Sequence, residues 1–182
     1  MNRDLAWAQW WAYPWKTAHV DWYTHAGFVD TVTLSRSHHH VFSSLFEIEP
    51  ALAPQPCPPI LQLILTSAQQ RDFILLLVNE ICNPNHDDRL NEEQHTWCQR
   101  LSKALAPDPI PQCFEDPLHC LRAWVCPMTW QRLRLSFPRP RVLELESLPR
   151  LNNAPGRLDT LWQAVLWRAT SSTANDVPRL TP

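Results

Sequence analysis

The sequence predicts an all-α fold: a single compact domain of short, proline-punctuated helices with an aromatic-rich N-terminal segment. Apolar residues recur at helical spacings of three and four through most of the chain. The 18 prolines interrupt these patterns often enough to keep each helix short. Thr31–Leu34 is the only run typical of a strand. Four segments follow from these patterns, with bounds at residues 1–29, 30–59, 60–170 and 171–182.

The segment 1–29 is an aromatic-rich N-terminal helical segment. Its first helix is predicted from an apolar face formed by Leu5, Ala8, Trp11 and Ala12. Pro14 ends that helix, because proline cannot continue the backbone hydrogen bonds. A second short helix contains His19, Trp22 and Tyr23 and closes at Gly27. So many aromatic side chains predict a segment that packs on the rest of the chain or on a partner.

The segment 30–59 is predicted to be a loop and proline-rich connector. It contains the run Thr31–Leu34 and the histidine triplet His38–His40. The prolines that follow favour an extended backbone, at positions 50, 54, 56, 58 and 59.

The segment 60–170 is predicted to be the helical body, and local start signals place its helices. Ser67 with Gln70, and Asn91 with Gln94, have capping-box spacing. Two further helices start at proline, a residue that suits the first helical position, after Asp116-Pro117 and at Pro127. On the helix that follows Asn91, the spacing predicts a face formed by Trp97, Leu101 and Leu105.

The final helix has the most regular pattern in the chain. Its apolar residues fall at spacings of three and four, at Leu158, Leu161, Trp162, Val165, Leu166 and Ala169. Trp167 falls off this stripe. The residues after it, 171–182, are predicted to be a disordered tail.

Charge and cysteine usage suggest a cytoplasmic protein with protein partners. Residues 1–121 carry 7 Lys and Arg against 14 Asp and Glu, whereas residues 122–182 carry 9 Arg against 4 Asp and Glu. Such a split suggests that the two ends meet different partners or each other. The N-terminus has no apolar stretch of signal-peptide length, and no run reaches the about 20 residues of a membrane span. Cys82, Cys98 and Cys120 lie in apolar helical patterns, where free cysteine acts as a small hydrophobe.

Composition argues against the common enzyme classes. Gly27 and Gly156 are the only glycines, so no Walker loop, dinucleotide-binding turn or nucleophile elbow can be built. Three groups resemble metal ligand sets: His38–His40; His86, Asp87 and Asp88; and Cys113, His119, Cys120 and Cys126. None has the spacing of a common zinc site, and we interpret them as polar loops and buried helix cysteines. The sequence therefore predicts no catalytic residue, no metal and no cofactor.

A single-stranded nucleic-acid binder is one alternative function. Arginines interleave with aromatic residues, as in a stacking groove, at Arg122, Arg132, Arg134, Arg139 and Arg141 with Trp124, Trp130 and Phe137. The isoelectric point of about 6.4 is low for such a binder. A second alternative is a small metal-dependent enzyme that uses His86, Asp87 and Asp88.

A specific resemblance favours a protein adaptor instead. The segment Trp130-Gln-Arg-Leu-Arg-Leu-Ser-Phe-Pro138 resembles the Trp-x-Arg-Leu-x-Leu-x-x-Pro stretch of the SctK (YscK and PscK) family of bacterial type III secretion. An apolar Trp-containing helix precedes the stretch in that family, as Leu118–Val125 does here, and an amphipathic helix follows it, as Leu158–Ala169 does here. The opening Trp11-Ala-Tyr-Pro14 with His19 and Trp22 is similar to the family's aromatic–Pro…His opening.

The resemblance implies a non-enzymatic adaptor of the sorting platform, in the bacterial cytoplasm. It would join the inner-membrane ring protein SctD to the pod protein SctQ, and through the pod to SctL and the ATPase. It would reach the membrane only through these partners and would bind neither a cofactor nor nucleic acid.

Two interfaces are hypothesised for these partners, because tryptophan and arginine dominate binding hot spots. One uses the aromatic opening, Trp10, Trp11 and Trp15. The other uses the basic region, Arg132, Arg134, Arg139 and Arg141.

Overall fold

The computed structural model describes residues 3–25, 39–84, 87–105, 116–151 and 156–171. These residues form ten α-helices and two 3₁₀ turns and contain no strand, which confirms the all-α prediction. Thr31–Leu34, Gly27 and residues 172–182 of the predicted tail lie outside the described residues.

Ten helices follow one another along the described part of the chain. They are α1 (Arg3–Ala12), α2 (Val20–His25), α3 (His39–Leu45), α4 (Pro58–Leu65), α5 (Ala68–Cys82), α6 (Glu92–Leu105), α7 (Leu118–Trp124), α8 (Pro127–Leu133), α9 (Arg139–Ser147) and α10 (Arg157–Ser171). The 3₁₀ turns are Pro14–Thr17 and Arg134–Ser136.

The chain divides into two compact units, whereas the sequence predicts one compact domain. Unit 1 comprises Met1–Leu61 and Val125–Pro149, and unit 2 comprises Gln62–Trp124 and Arg150–Pro182. Each unit therefore joins two stretches that are far apart in sequence. The four segments defined from the sequence stay a prediction.

Unit 1 has a core of aromatic side chains. Helix α1 buries Trp7, Trp10 and Trp11 and leaves Leu5 55% exposed. The helix is thus confirmed, but its inner face is not the one predicted from Leu5 and Ala8, because the large indoles bury far more apolar area. Trp22 of α2 is also buried and donates its indole N–H to the carbonyl of Phe137 at 2.9 Å.

The predicted connector 30–59 contains a helix, α3, which corrects that part of the prediction. Phe42 on α3 and Phe46 just after it are both buried. Trp15 stacks on Phe42 with ring centroids 5.5 Å apart. The helix is stabilised by this packing, which involves residues from outside the segment, so local sequence does not announce it. After Ile48 the chain continues without regular structure to Cys57, as the prolines predict.

Helix α9 is a second helix that the sequence analysis does not predict. Pro138 and Pro140 suggest the end of a helix, but Pro138 is the residue before α9 and Pro140 lies in its first turn. Proline is tolerated there because the first N–H groups of a helix have no intrahelical acceptor. Val142 and Leu145 are the buried residues of α9.

In unit 2, both predicted capping boxes are present. The Ser67 hydroxyl accepts from the backbone N–H of Gln70 at 3.2 Å, and the Gln70 side chain accepts from the N–H of Ser67 at 3.1 Å. The same exchange joins Asn91 and Gln94, with both distances 2.9 Å. These local signals therefore predict the starts of α5 and α6 correctly.

The buried face of α6 differs from the predicted one. Trp97, Leu101 and Leu105 are only half-buried, whereas α6 buries Gln94, His95 and Cys98. His95 Nδ1 lies 3.0 Å from Oε1 of Glu80, which is a buried residue of α5. The contact between His95 and Glu80 joins α6 to α5 and orients α6. The spacing of apolar residues in the sequence does not reveal such a polar contact.

Helix α10 matches its prediction at every position. Its buried residues are Leu158, Leu161, Trp162, Val165, Leu166 and Ala169. Trp167 points away from this stripe and is 64% exposed. In the same unit, the ring of Trp124 stacks on the ring of Trp162 with centroids 5.4 Å apart.

The cysteines are in two states. Cys120 forms a disulfide, so it is not the free small hydrophobe that its helical pattern predicts. Cys57, Cys82, Cys98 and Cys126 are free. Within the described ranges, every helix is too short or too polar to cross a membrane.

Candidate partner-binding cavity

A cavity of about 460 Å³ lies within unit 1, in the range of ligand-binding pockets. The end of α1, the 3₁₀ turn Pro14–Thr17, helix α3, the extended residues 48–51 and α8 all contribute to its wall. Its polar and aromatic lining residues include Trp11, Trp15, His39, His40, Ser43 and Arg132. The lining residues His39, His40, Ser44 and Glu49 are exposed, so the cavity is accessible from the surface of this unit.

Arg132 of α8 is the central polar residue of the wall. Its side chain is buried, with 3% of the residue exposed. Nε donates to the carbonyl of Trp11 at 3.1 Å, Nη1 to the carbonyl of Met128 at 2.9 Å, and Nη2 to the carbonyl of Glu49 at 3.1 Å. The guanidinium also lies over the ring of Trp11, 4.0 Å from its centroid. These contacts hold the planar group in one orientation.

The charge of Arg132 has no carboxylate partner in the described part of the chain. Glu49, which also lines the cavity, accepts through its backbone carbonyl. Burial lowers the pKa of Arg132, because removal from water disfavours the charged form. A guanidinium has five N–H groups, so two of them have no acceptor among the described residues.

Two tryptophans form aromatic parts of the wall. Trp11 donates its indole N–H to the carbonyl of Ala51 at 2.9 Å. Trp15 is buried, and its indole N–H has no acceptor in the described residues. A buried N–H without an acceptor is costly, because it has lost its bond to water. The wall therefore combines apolar surface with a donor that is not satisfied.

Helix α3 adds imidazole and hydroxyl groups. His39 Nε2 lies 2.8 Å from the carbonyl of Ala12, and because a carbonyl can only accept, Nε2 is the protonated nitrogen there. His39 Nδ1 and the Ser43 hydroxyl are 3.5 Å apart, one helical turn along α3. His40 and Ser44 are exposed lining residues beside them.

The structure brings together three residues that the sequence assigns to two separate interfaces. Trp11 and Trp15 from the aromatic opening and Arg132 from the basic region line the same cavity. The contact between Trp11 and Arg132 spans 121 positions in sequence. No sequence spacing connects them.

The other hypothesised interface residues take different positions. Trp10 is buried, and Arg134 is buried with its guanidinium bound to Glu146. Arg139 is half-buried and lies over the ring of Trp22, 5.8 Å from the centroid. Arg141 is also half-buried. Trp10, Trp11, Trp15, Arg132 and Arg134 are thus buried, whereas Arg139 and Arg141 stay partly exposed. The two hypothesised interfaces stay a prediction.

The residues of the two alternative functions, nucleic-acid binding and metal-dependent catalysis, can also be located in the structure. Trp130 and Phe137 are buried, so these two aromatic groups of the hypothesised nucleic-acid groove are not available for stacking, whereas Trp124 is half-buried. The Asp87 carboxylate accepts from Arg89, with Oδ1 2.8 Å from Nε and Oδ2 2.5 Å from Nη2. Among the described residues no group of histidine, cysteine and carboxylate side chains is arranged to hold a metal. His38, His86 and Cys113 lie outside the described residues.

The sequence analysis does not identify His39, His40, Ser43 and Ser44 as site residues. One signal is present: Phe42 and Phe46 are spaced by four, which predicts an apolar helix face, with His39 and Ser43 at the same spacing beside it. What that helix faces depends on α1 and α8, which only the tertiary structure brings to it. Comparison of the chain with protein-family models, with curated proteins and with solved structures finds no match.

Proposed function

We propose that the protein is a non-enzymatic adaptor of a bacterial type III secretion sorting platform. It links the inner-membrane ring protein SctD to the pod protein SctQ, and through the pod to SctL and the ATPase. On this proposal it works in the cytoplasm and reaches the inner membrane through its partners.

One observation carries the proposal. The stretch Trp130–Pro138 and the opening Trp11–Pro14 both resemble the SctK family, and residues from both line one accessible cavity. Trp11 comes from the opening and Arg132 from the stretch, and they bind each other directly. The two family-like segments thus serve one local structure, which supports reading them together as one functional element.

The cavity has the chemistry of a recognition site. Its wall combines apolar rings, hydrogen-bond donors and a buried cation. We assign the cavity as the contact point for one of the two partners.

The experiment is a pull-down with the tagged full-length chain in its native bacterium, with bound proteins identified by mass spectrometry. We expect a type III ring protein and a pod protein to be recovered together. The reciprocal pull-down with tagged pod protein serves as the control and should recover this chain. Recovery of neither protein in both directions would overturn the proposal. Filter binding to single-stranded nucleic acid with a steep salt dependence would favour the nucleic-acid alternative.

A further inference from the structure

We infer that the cavity in unit 1 binds a carboxylate carried next to an apolar side chain, as found on a peptide. The carboxylate belongs to a partner protein, as a chain end or as an acidic side chain. This inference rests on the proposed function for its source of peptide, but the cavity chemistry alone determines the ligand class.

The first argument is the charge of Arg132. It is buried, no described carboxylate neutralises it, and two of its five N–H groups lack a described acceptor. A buried cation without a counter-charge is unfavourable, and a bound anion would offset that cost. Carboxylates suit this position, because the guanidinium fork binds them through two parallel hydrogen bonds.

The second argument is the unsatisfied donor of Trp15. Its buried indole N–H has no acceptor among the described residues, and Trp15 lines the same cavity as Arg132. Two residues of one wall, Arg132 and Trp15, thus carry N–H groups without a described acceptor. The Ser44 hydroxyl and the imidazole of His40, both exposed lining residues, add further groups that can donate to an anion.

The third argument concerns the rest of the ligand. The rings of Trp11 and Trp15 with Pro14, Ile48 and Pro50 make much of the remaining wall apolar. A small hydrated anion such as inorganic phosphate would leave these rings in contact with water. An apolar or aromatic side chain beside the carboxylate would cover them, which favours a peptide over a free inorganic anion.

The test is an NMR titration of the ¹⁵N-labelled full-length chain, with the indole N–H signals of Trp11 and Trp15 as reporters. Two pairs of probes separate the sources of carboxylate. N-acetyl-phenylalanine and its amide represent a chain end, whereas N-acetyl-Phe-Glu-amide and N-acetyl-Phe-Gln-amide represent an acidic side chain. In at least one pair we expect the acid to bind about tenfold or more tightly than its neutral partner, since the acceptor is charged.

Variants locate the binding. Arg132→Gln should remove the preference for the acid, if the variant folds. Ser44→Phe places a ring at the exposed lining position of α3 and should weaken acid binding about tenfold or more, as expected for a blocked pocket. Ser147→Phe changes an exposed serine of α9 in the same unit, which does not line the cavity, and should leave binding unchanged.

Three results would overturn the inference: equal binding of acid and neutral probe in both pairs, unchanged binding to the Ser44→Phe variant, or phosphate binding as tightly as the acids. The pull-down separates this failure from failure of the proposed function. Recovery of ring and pod proteins with no preference for acids would leave the adaptor role intact and remove only the carboxylate site. Preferential binding of the acids without recovery of the ring and pod proteins would support the carboxylate site and remove the adaptor role.

Discussion

Glu146 neutralises the buried guanidinium of Arg134: the carboxylate oxygens lie 2.9 and 3.1 Å from Nη1. The same carboxylate accepts the indole N–H of Trp130 at 2.7 Å. Arg134 also donates to the carbonyl of Phe46 at 2.9 Å. Helix α9 is therefore bound to Trp130 and Arg134 through one acidic side chain, and Arg134 in turn binds the residue that follows α3. The guanidinium of Arg134 therefore binds groups of unit 1 and is buried among them.

Removal of the Glu146 carboxylate should destabilise unit 1. We expect Glu146→Leu to lower the free energy of unfolding by about 3 kcal/mol, because it leaves the buried Arg134 charge with only the exposed carboxylate of Glu47, 3.3 Å from Nη2. Urea unfolding followed by circular dichroism measures the change. The matched control is Glu144→Leu, an exposed position of the same helix. Equal losses in the two variants would show that the ion pair contributes nothing beyond a surface charge.

Truncation of the inner face of α10 should cost far more than truncation of its outer face. Leu161 is fully buried in unit 2, so Leu161→Ala should lower the free energy of unfolding by about 3 kcal/mol through lost burial and a residual cavity. Trp167→Ala removes a larger side chain that is exposed, and should change stability by less than about 0.5 kcal/mol. Thermal unfolding of both variants tests the difference. A larger effect at Trp167 would mean that its ring is covered in the free protein.

Loss of the capping box at the start of α5 should lower the free energy of unfolding by less than Leu161→Ala and by more than Trp167→Ala. Ser67→Ala removes the hydroxyl that accepts from the N–H of Gln70, and should cost about 1 kcal/mol. Ser102→Ala, in the interior of α6, serves as the control and should cost nothing, because alanine favours helix there. Hydrogen exchange at the first turn of α5 provides a local readout. Unchanged exchange in the Ser67→Ala chain would contradict the prediction.

The Asp87–Arg89 pair should make stability depend on pH in the acid range. The hydrogen bond from Arg89 lowers the pKa of Asp87 from 3.8 to about 2. Because the folded pKa lies below the unfolded one, the contribution is complete above about pH 4 and is lost as the pH falls toward 2. Asp87→Asn should cost roughly 0.5 kcal/mol at neutral pH. The stability difference from the parent chain should shrink on acidification, whereas Asp88→Asn, at an exposed neighbour, should show no such trend.

Thiol reactivity should separate the buried Cys98 from the exposed Cys126. Burial raises the pKa of Cys98 to about 12, so its thiol stays protonated as well as shielded. Cys126 is exposed. Iodoacetamide at about pH 8 should therefore modify Cys126 in the native chain and Cys98 only after unfolding, as read by peptide mass spectrometry. Without reductant Cys120 should stay unmodified even when unfolded, because it forms a disulfide. Rapid native labelling of Cys98 would contradict its burial.

Several helices could be located from sequence because their signals are local. The pairs Ser67–Gln70 and Asn91–Gln94 lie within one helical turn, so their capping depends on neighbouring residues alone. Asp116 likewise accepts from the N–H of Leu118 at 2.8 Å, two residues on. The stripe of α10 was also predictable, because all its buried residues are apolar and regularly spaced.

Helices α3 and α9 could not be located in this way. Phe42 on α3 packs against Trp15, and Glu146 on α9 binds Arg134, so each helix depends on residues outside itself. The inner face of α6 was missed for a related reason, since His95 is paired with the buried Glu80. A polar residue at such a position is indistinguishable from a surface residue in a scan for apolar spacing.

Local sequence signals are sufficient to predict that this protein is helical and where several of its helices begin. The burial of Trp10 and Arg134, and the cavity that Trp11, Trp15 and Arg132 line, result from tertiary packing. The physical reason is that helix starts depend on hydrogen bonds within one turn, whereas burial depends on what packs against a side chain. For Arg132 the packing partner is Trp11, 121 positions away, and that contact exists only in the folded chain.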